Sequence, residues 1–191
     1  MSNENSTPAN AAMPSTDQGV MLSVTLETLR TLIQEEGYRA EVVTDGNISF
    51  LRSASNGLDF DVRPGNIFVK DPAVTVEKPE HFADLVFVVL FTVQGAFPAD
   101  LLNLWNRTHR FGRLYLDKTI PGREFLVLSL DVSVVGGVTT DYLRHKLVIW
   151  DSLVRQLVPW LREELGKIAP TIDTQKTASS DQVLSMQHGN A

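Results

Sequence analysis

The apolar and polar positions divide the chain into a patterned centre between two polar ends, and within the centre the period shifts from helical to extended and back. Residues 24–38, VTLETLRTLIQEEGY, set Leu26, Leu29, Leu32 and Ile33 at helical spacing opposite Glu27, Arg30, Gln34 and Glu35, which predicts an amphipathic helix. Gly37 supplies its stop, as a residue at ease with positive φ. Three short runs follow, AEVV, NISFLR and LDFDV, joined at Asp45-Gly46-Asn47 and Ser55-Asn56-Gly57. Both links carry hairpin turn chemistry, so the runs predict a meander of antiparallel strands. A further extended piece, NIFVK, follows Pro64-Gly65.

The run ADLVFVVLFTVQG, residues 83–95, is β-branched, aromatic and nearly unbroken in its apolarity. It predicts a central strand covered on both faces, by helices or by a partner subunit, because a strand with one wet face alternates. Pro98 suits a first helical turn, and the helix from there to about His109 turns Leu101, Leu102 and Trp105 inward. RLYLD and EFLVLSLDV flank the turn signal Pro121-Gly122, which predicts a hairpin with Leu126, Leu128 and Leu130 on one face. After Gly136-Gly137, Thr139 or Thr140 caps a last helix beginning near Asp141. Its apolar positions, from Tyr142 to Leu161, spread over about half the circumference at about 100° per residue, more than one sheet contact uses. Pro159 predicts a kink, or an end near Leu157 or Val158 with LREEL forming a short second helix.

Length and composition bound these elements to one domain with tails. The chain has 191 residues, and its first 20 are rich in Ser, Asn, Thr, Ala and Pro, a composition that cannot repay the entropy of ordering. The expected organisation is a disordered tail over 1–20, a folded domain over 21–166 and a flexible tail over 167–191, where Val183, Leu184 and Met186 offer a weak dock or a short helix. Cysteine is absent, which removes disulfides, thiolate nucleophiles and Cys-ligated zinc and fits a reducing compartment. A net charge of -6 argues against nucleic acid as the partner. With neither a basic, apolar leader nor a run of about 20 apolar residues, the expectation is a cytoplasmic protein with no membrane segment.

Candidate chemistry is sparse. His81, His109, His145 and His188 lack the spacing of a metal site, and no nucleophile elbow or phosphate-binding loop is present, so neither cofactor, metal nor catalytic residue is expected. Asp59 and Asp61 share one strand face and read as its polar side. More weight falls on Arg107, His109, Arg110 and Arg113 at the end of the second helix, with Arg144, His145 and Lys146 early on the last one. Cations there complement a helix dipole, or they form a groove for an acidic segment or a small anion. Trp105 and Asn106 are either a helix-to-strand junction or a pocket wall.

The order of elements resembles the YbjN family of bacterial sensory transduction regulators. The likeness is carried by Trp105, Asn106, the strand RLYLD ending at Asp117, the strand LVLSLDV, and Gly136, Gly137, Val138 and Thr139 before the last helix. It spans roughly residues 22–161, with the Ser- and Pro-rich amino-terminal extension outside the common domain. The resemblance implies an α+β fold with an antiparallel sheet of five or six strands and helices mainly on one face. That fold is similar to the type III secretion chaperones, small acidic homodimers that bind extended segments of other proteins. The expected function is a non-enzymatic protein-binding module, chaperone-like or a regulatory adaptor in bacterial signalling or stress response. It would act as a homodimer holding a peptide segment along a sheet edge or hydrophobic groove. The alternative is a small-ligand sensory regulator with a basic pocket near Trp105 and Arg107. Candidate binding residues are Trp105, Asn106, Arg107, Arg110 and Arg113.

Overall fold

Thr25 opens the first helix by accepting the amide of Thr28 on its hydroxyl at 3.0 Å, which satisfies one of the amides a helix start leaves free. The helix, α1 (Leu26–Glu35), ends at Gly37, whose φ of +85° is accessible without strain only to glycine. Strands β1 (Ala40–Asp45), β2 (Ile48–Ser55) and β3 (Leu58–Pro64) follow as a meander. Asn56 and Gly57 both take positive φ at the β2–β3 link, the turn whose twist matches that of its strands. After β4 (Asp84–Thr92) come α2 (Ala99–Thr108), β5 (Arg113–Asp117), β6 (Phe125–Ser133) and α3 (Thr140–Met186). The computed structural model describes residues 19–69 and 80–186, with side chains as far as residue 168. Residues 1–18 of the expected amino-terminal tail and 187–191 of the carboxyl-terminal one therefore lie outside the described residues.

The six strands form one antiparallel sheet in the order β1-β2-β3-β4-β6-β5. This is the α+β architecture the sequence predicts, with β4 central between β3 and β6. NIFVK adds no strand of its own. Ile67 bridges Phe82, and Ala83 donates to the Asn66 carbonyl at 2.8 Å, so the piece prolongs the β3–β4 hairpin by a few bonds; Lys70 lies outside the described residues.

All three helices pack on the same sheet face. Leu29, Leu32 and Ile33 of α1, Trp105 of α2, and Leu143, Leu147, Trp150, Leu153, Val154 and Leu157 of α3 meet Leu51, Phe60, Val62, Phe87, Leu128 and Leu130. Trp150 sits between Phe60 and Phe87 at ring distances of 5.6 and 5.7 Å, where burying large aromatic surface anchors α3 to the sheet centre. The opposite face carries Phe50, Asp61, Val86, Val88, Leu90, Val127 and Ser129, and no described helix covers it. The apolarity of β4 thus has two origins: Leu85, Phe87 and Val89 meet the helices, while Val86, Val88 and Leu90 belong to the second face. Val127 stays buried there because Tyr115 and Leu90 stand beside it across the strands. Phe50 lies under the guanidinium groups of Arg52 and Arg63, both tied to Asp61 at 2.9 and 2.8 Å. Asp61 is therefore a buried ionic tie, while Asp59 stays exposed.

Pro159 does not end the last helix, and no second helix begins there. α3 passes through it and through most of the stretch assigned to a flexible tail. A proline inside a helix forfeits a hydrogen bond and crowds the preceding turn, at about 3 kcal/mol. Packing offsets this: Leu157 is fully buried before it, and after it Trp160 meets Trp105 at 5.1 Å and His109 at 6.0 Å.

Candidate functional site

The segment from α2 to β5 is pinned at three points. Asn106 donates its amide to the Leu114 carbonyl at 2.8 Å and accepts the Leu114 N–H on Oδ1 at 2.9 Å. A carboxamide so placed imitates the neighbouring strand that β5, at the sheet edge, lacks on that side. His109 stacks on Trp105 at 3.6 Å with the rings 8° from parallel. Gly112 is pressed against the core: a Cβ there would lie 2.7 Å from Leu153 Cδ1 and 3.3 Å from Leu128 Cδ1.

Between these pins the backbone has little room. Gly112 N–H donates to the Arg110 carbonyl at 3.0 Å, closing a three-residue turn on Phe111, whose φ is +74°. This is the strained form of the γ-turn. The Phe111 ring is pushed outward and is 59% exposed, with the Arg110 guanidinium 5.2 Å from its centre and the Lys146 ammonium 5.9 Å away.

A hollow of about 810 Å³ opens beside this loop, walled by Asn106, Arg107, Arg110, Arg113 and Tyr115, with Phe111 at its lip. On the α3 side of Phe111 lies a smaller one of about 260 Å³, bounded by Ile149, Ser152 and Gln156. Of the five candidates named from sequence, Asn106, Arg107, Arg110 and Arg113 meet at the larger hollow. Trp105 does not: it has no exposed surface and its buried indole N–H has no hydrogen-bond partner. An aromatic residue on the inner stripe of α2, one helical step from Asn106, is drawn into the core with Leu101.

The charges separate into paired and unpaired. Arg113 forms an ion pair with Asp131 across the β5–β6 ladder. Arg144, from the second basic group, is held by Glu35 at 2.9 Å, Glu36 at 3.0 Å and Asp141 at 3.2 Å, and these carboxylates, Glu35 foremost, hold its pKa above the usual guanidinium value. It ties α1 to α3. Arg107, Arg110 and Lys146 take part in no ion pair among the described residues. Two residues of the site escaped the sequence reading. Tyr115 alternates outward on β5 and could have been placed from strand period, whereas the outward turn of Phe111 follows from a backbone angle that no sequence pattern announces.

No group of three His, Asp or Glu side chains able to hold a metal is found among the described residues. Nor does the hollow contain a nucleophile beside a base; its chemistry is that of cations, one aromatic lip and an open floor.

A model of the YbjN family, described as "Putative bacterial sensory transduction regulator", matches residues 25–163. The chain belongs to the YbjN family. The matched span runs from the cap of α1 past Trp160, so it takes in the whole sheet and the α2–β5 hollow. Among solved structures the chain is similar to the crystal structure of YbjN from E. coli, with 17% identity and a TM-score of 0.49, covering 68% of this chain and 84% of that one. No curated protein matches. Among the described residues of this YbjN-family chain, no helix is long and apolar enough to cross a membrane.

Proposed function

We propose that this YbjN-family protein is a non-enzymatic binding module, a chaperone-like or regulatory adaptor in bacterial signalling or stress response. It holds a segment of another protein in the hollow between α2 and β5. The observation that supports this most is the pairing, at one rigid junction, of an open hollow of about 810 Å³ with two unpaired arginines and an exposed aromatic lip. Enclosed small-molecule sites bury most of their ligand among apolar walls. The alternative, a sensor pocket near Trp105 and Arg107, has less support because Trp105 offers the hollow no surface.

Strand addition at the sheet edges is also less favoured than a groove. Asn106 occupies the outward groups of Leu114 on β5, and Gln34 donates its amide to the Ala40 carbonyl on β1 at 3.2 Å. A photo-crosslinking residue placed at Tyr115 in the native cell should give a discrete adduct with one protein, and the same residue at Val42 on β1 should not. Equal adducts from both positions, or none from Tyr115 alongside a metabolite that co-purifies and protects it, would defeat the reading.

We further propose that the protein is a homodimer. The apolar members of the uncovered sheet face, Val86 and Leu90 among them, support this. Light scattering at micromolar concentration should show twice the mass of one chain; a species of single-chain mass alone removes the proposal.

A further inference from the structure

Resting on the protein-binding reading, we infer that the bound segment is acidic and carries an apolar residue that packs on Phe111, lying across the loop 109–112 from the larger hollow to the smaller one.

The first support is the backbone of Phe111. A non-glycine residue at φ +74° in a γ-turn is strained, and a phenyl ring left 59% exposed recovers little of that cost inside this chain. The strain is maintained by the surrounding pins: the Asn106 clamp, the His109–Trp105 stack and the tight seat of Gly112. A ring held outward this way reaches a partner without an ordering cost, which is the condition for a strong anchor in an interface.

Charge is the second. The chain carries a net charge of -6, and most arginines at the sheet and helices, Arg39, Arg52, Arg63, Arg144 and Arg155 among them, are matched by carboxylates, while Arg123 and Arg162 form no ion pair among the described residues and do not line the hollow. Around Phe111 the match is missing. Arg110 and Lys146 approach the same ring, Arg107 stands on the hollow wall, and no described acid answers any of the three. Two cations over one ring repel each other, and carboxylates from outside relieve that repulsion while an apolar residue covers the ring. Hollows on both sides of Phe111 give the segment room before and after its anchor.

Nucleic acid and anionic membranes also present negative charge with apolar or aromatic surface. Three unpaired cations on a chain of net charge -6 make a poor match to either, since both present dense, extended charge.

The test uses fluorescence anisotropy on the full chain with labelled synthetic peptides. One is rich in Asp and Glu with a single central Phe, a second has Ser in place of that Phe, and a third has Lys in place of the acids. The first should bind, the second at least about tenfold more weakly, and the third not at all. Phe111→Gly is the decisive variant, because glycine accepts this φ freely, so the fold should melt no lower while affinity falls about tenfold or more. Arg107→Ala with Arg110→Ala should weaken binding and flatten its salt dependence, whereas Arg39→Ala, exposed and distant in sequence, should leave both unchanged. The inference is overturned if the Lys peptide binds as well as the acidic one, if Phe111→Gly binds normally, or if only anionic vesicles or single-stranded DNA bind with the same arginine dependence. A native partner crosslinked at Tyr115 through a neutral or basic segment would sink this inference and leave the protein-binding reading standing. Absence of any protein adduct would sink both.

Discussion

Replacing Asn106 by Ala removes both hydrogen bonds to Leu114 and leaves the outward side of β5 without a partner. Each bond has a net worth of about 1 kcal/mol, and the Leu114 groups, half sheltered by the junction, recover only part of it from water. The expected loss is about 2 kcal/mol. For a domain of this size that lowers Tm by about 8 °C, taking about 4 °C per kcal/mol. Urea denaturation should show a lower midpoint with an unchanged slope, since the same surface is exposed on unfolding. Hydrogen exchange at the Leu114 amide should accelerate more than at Tyr115, whose backbone groups face β6. Asn106→Asp separates donor from acceptor: its carboxylate still accepts the Leu114 N–H but opposes the Leu114 carbonyl, where Asn106 now donates at 2.8 Å. It should be at least as damaging as Ala at neutral pH and improve as acid restores a donor. A drop of less than about 2 °C for Asn106→Ala, or unchanged protection at Leu114, would refute the clamp as a structural element.

Three further outcomes follow from the packing. Gly112→Ala forces Leu153 and Leu128 aside and should cost about 1–3 kcal/mol in urea melts, with loss of any ligand bound at the hollow; a neutral melt would mean the loop can lift. Trp160→Ala removes the packing that carries α3 past Pro159, so far-ultraviolet circular dichroism should show helix lost; full retention would assign the continuity to something else. Burial opposes the charge on Asp151, yet hydrogen bonds from Ser55, Arg155 and Tyr38 outweigh it and hold its pKa below the usual carboxyl value; Tyr38 is shifted upward, by burial first and then by Asp151. A carboxyl lowered on folding contributes stability that is complete above its unfolded pKa of about 3.9 and is lost as pH falls below it. A raised phenol contributes below its unfolded pKa of about 10 and is lost as pH rises beyond that. Asp151→Asn should flatten the acid limb of a stability-against-pH curve; an unchanged limb would place the acid sensitivity elsewhere.

Most of the fold was legible because its elements are local. The period of LETLRTLIQE, the turn residues at Gly46 and Asn56-Gly57, and the Gly136-Gly137 entry to a helix capped by Thr139 each act within a few residues of where they stand. What the local pattern left open were effects settled at a distance. Pro159 argues for a kink or an end from its own chemistry, and the helix runs on past it where Trp160 meets Trp105, far away in sequence. Continuous apolarity in β4 argues for two covered faces, but part of the shelter comes from neighbouring strands, as Tyr115 and Leu90 shelter Val127. At the candidate site the arginines were found from their clustering, and the helical spacing of Leu101, Leu102 and Trp105 already turned Trp105 inward; whether it also walled a pocket was open, because residue type alone does not tell a junction aromatic from a pocket one, and its full burial decides for the junction.

The same residues that define the α2–β5 junction also explain why the hollow stays open. A helix that ended freely before an edge strand would let its loop collapse, and Phe111 would fold back over Leu153 and Ile149 to bury its ring. The Asn106 clamp fixes where β5 begins, the His109–Trp105 stack fixes where α2 ends, and Gly112 can occupy the only seat left between them. With both ends set, the three-residue turn closes with Phe111 directed outward between Arg110 and Lys146. Loosening any pin should therefore do two things together: release strain at Phe111 and weaken whatever the hollow binds. His109→Ala tests this best, since it removes the stack while leaving Trp105 buried against Trp160. The expected result is a small change in Tm, faster exchange at the Gly112 amide and a clear loss of peptide affinity. Faster exchange with unchanged affinity would show that the rigidity of the loop serves the fold alone.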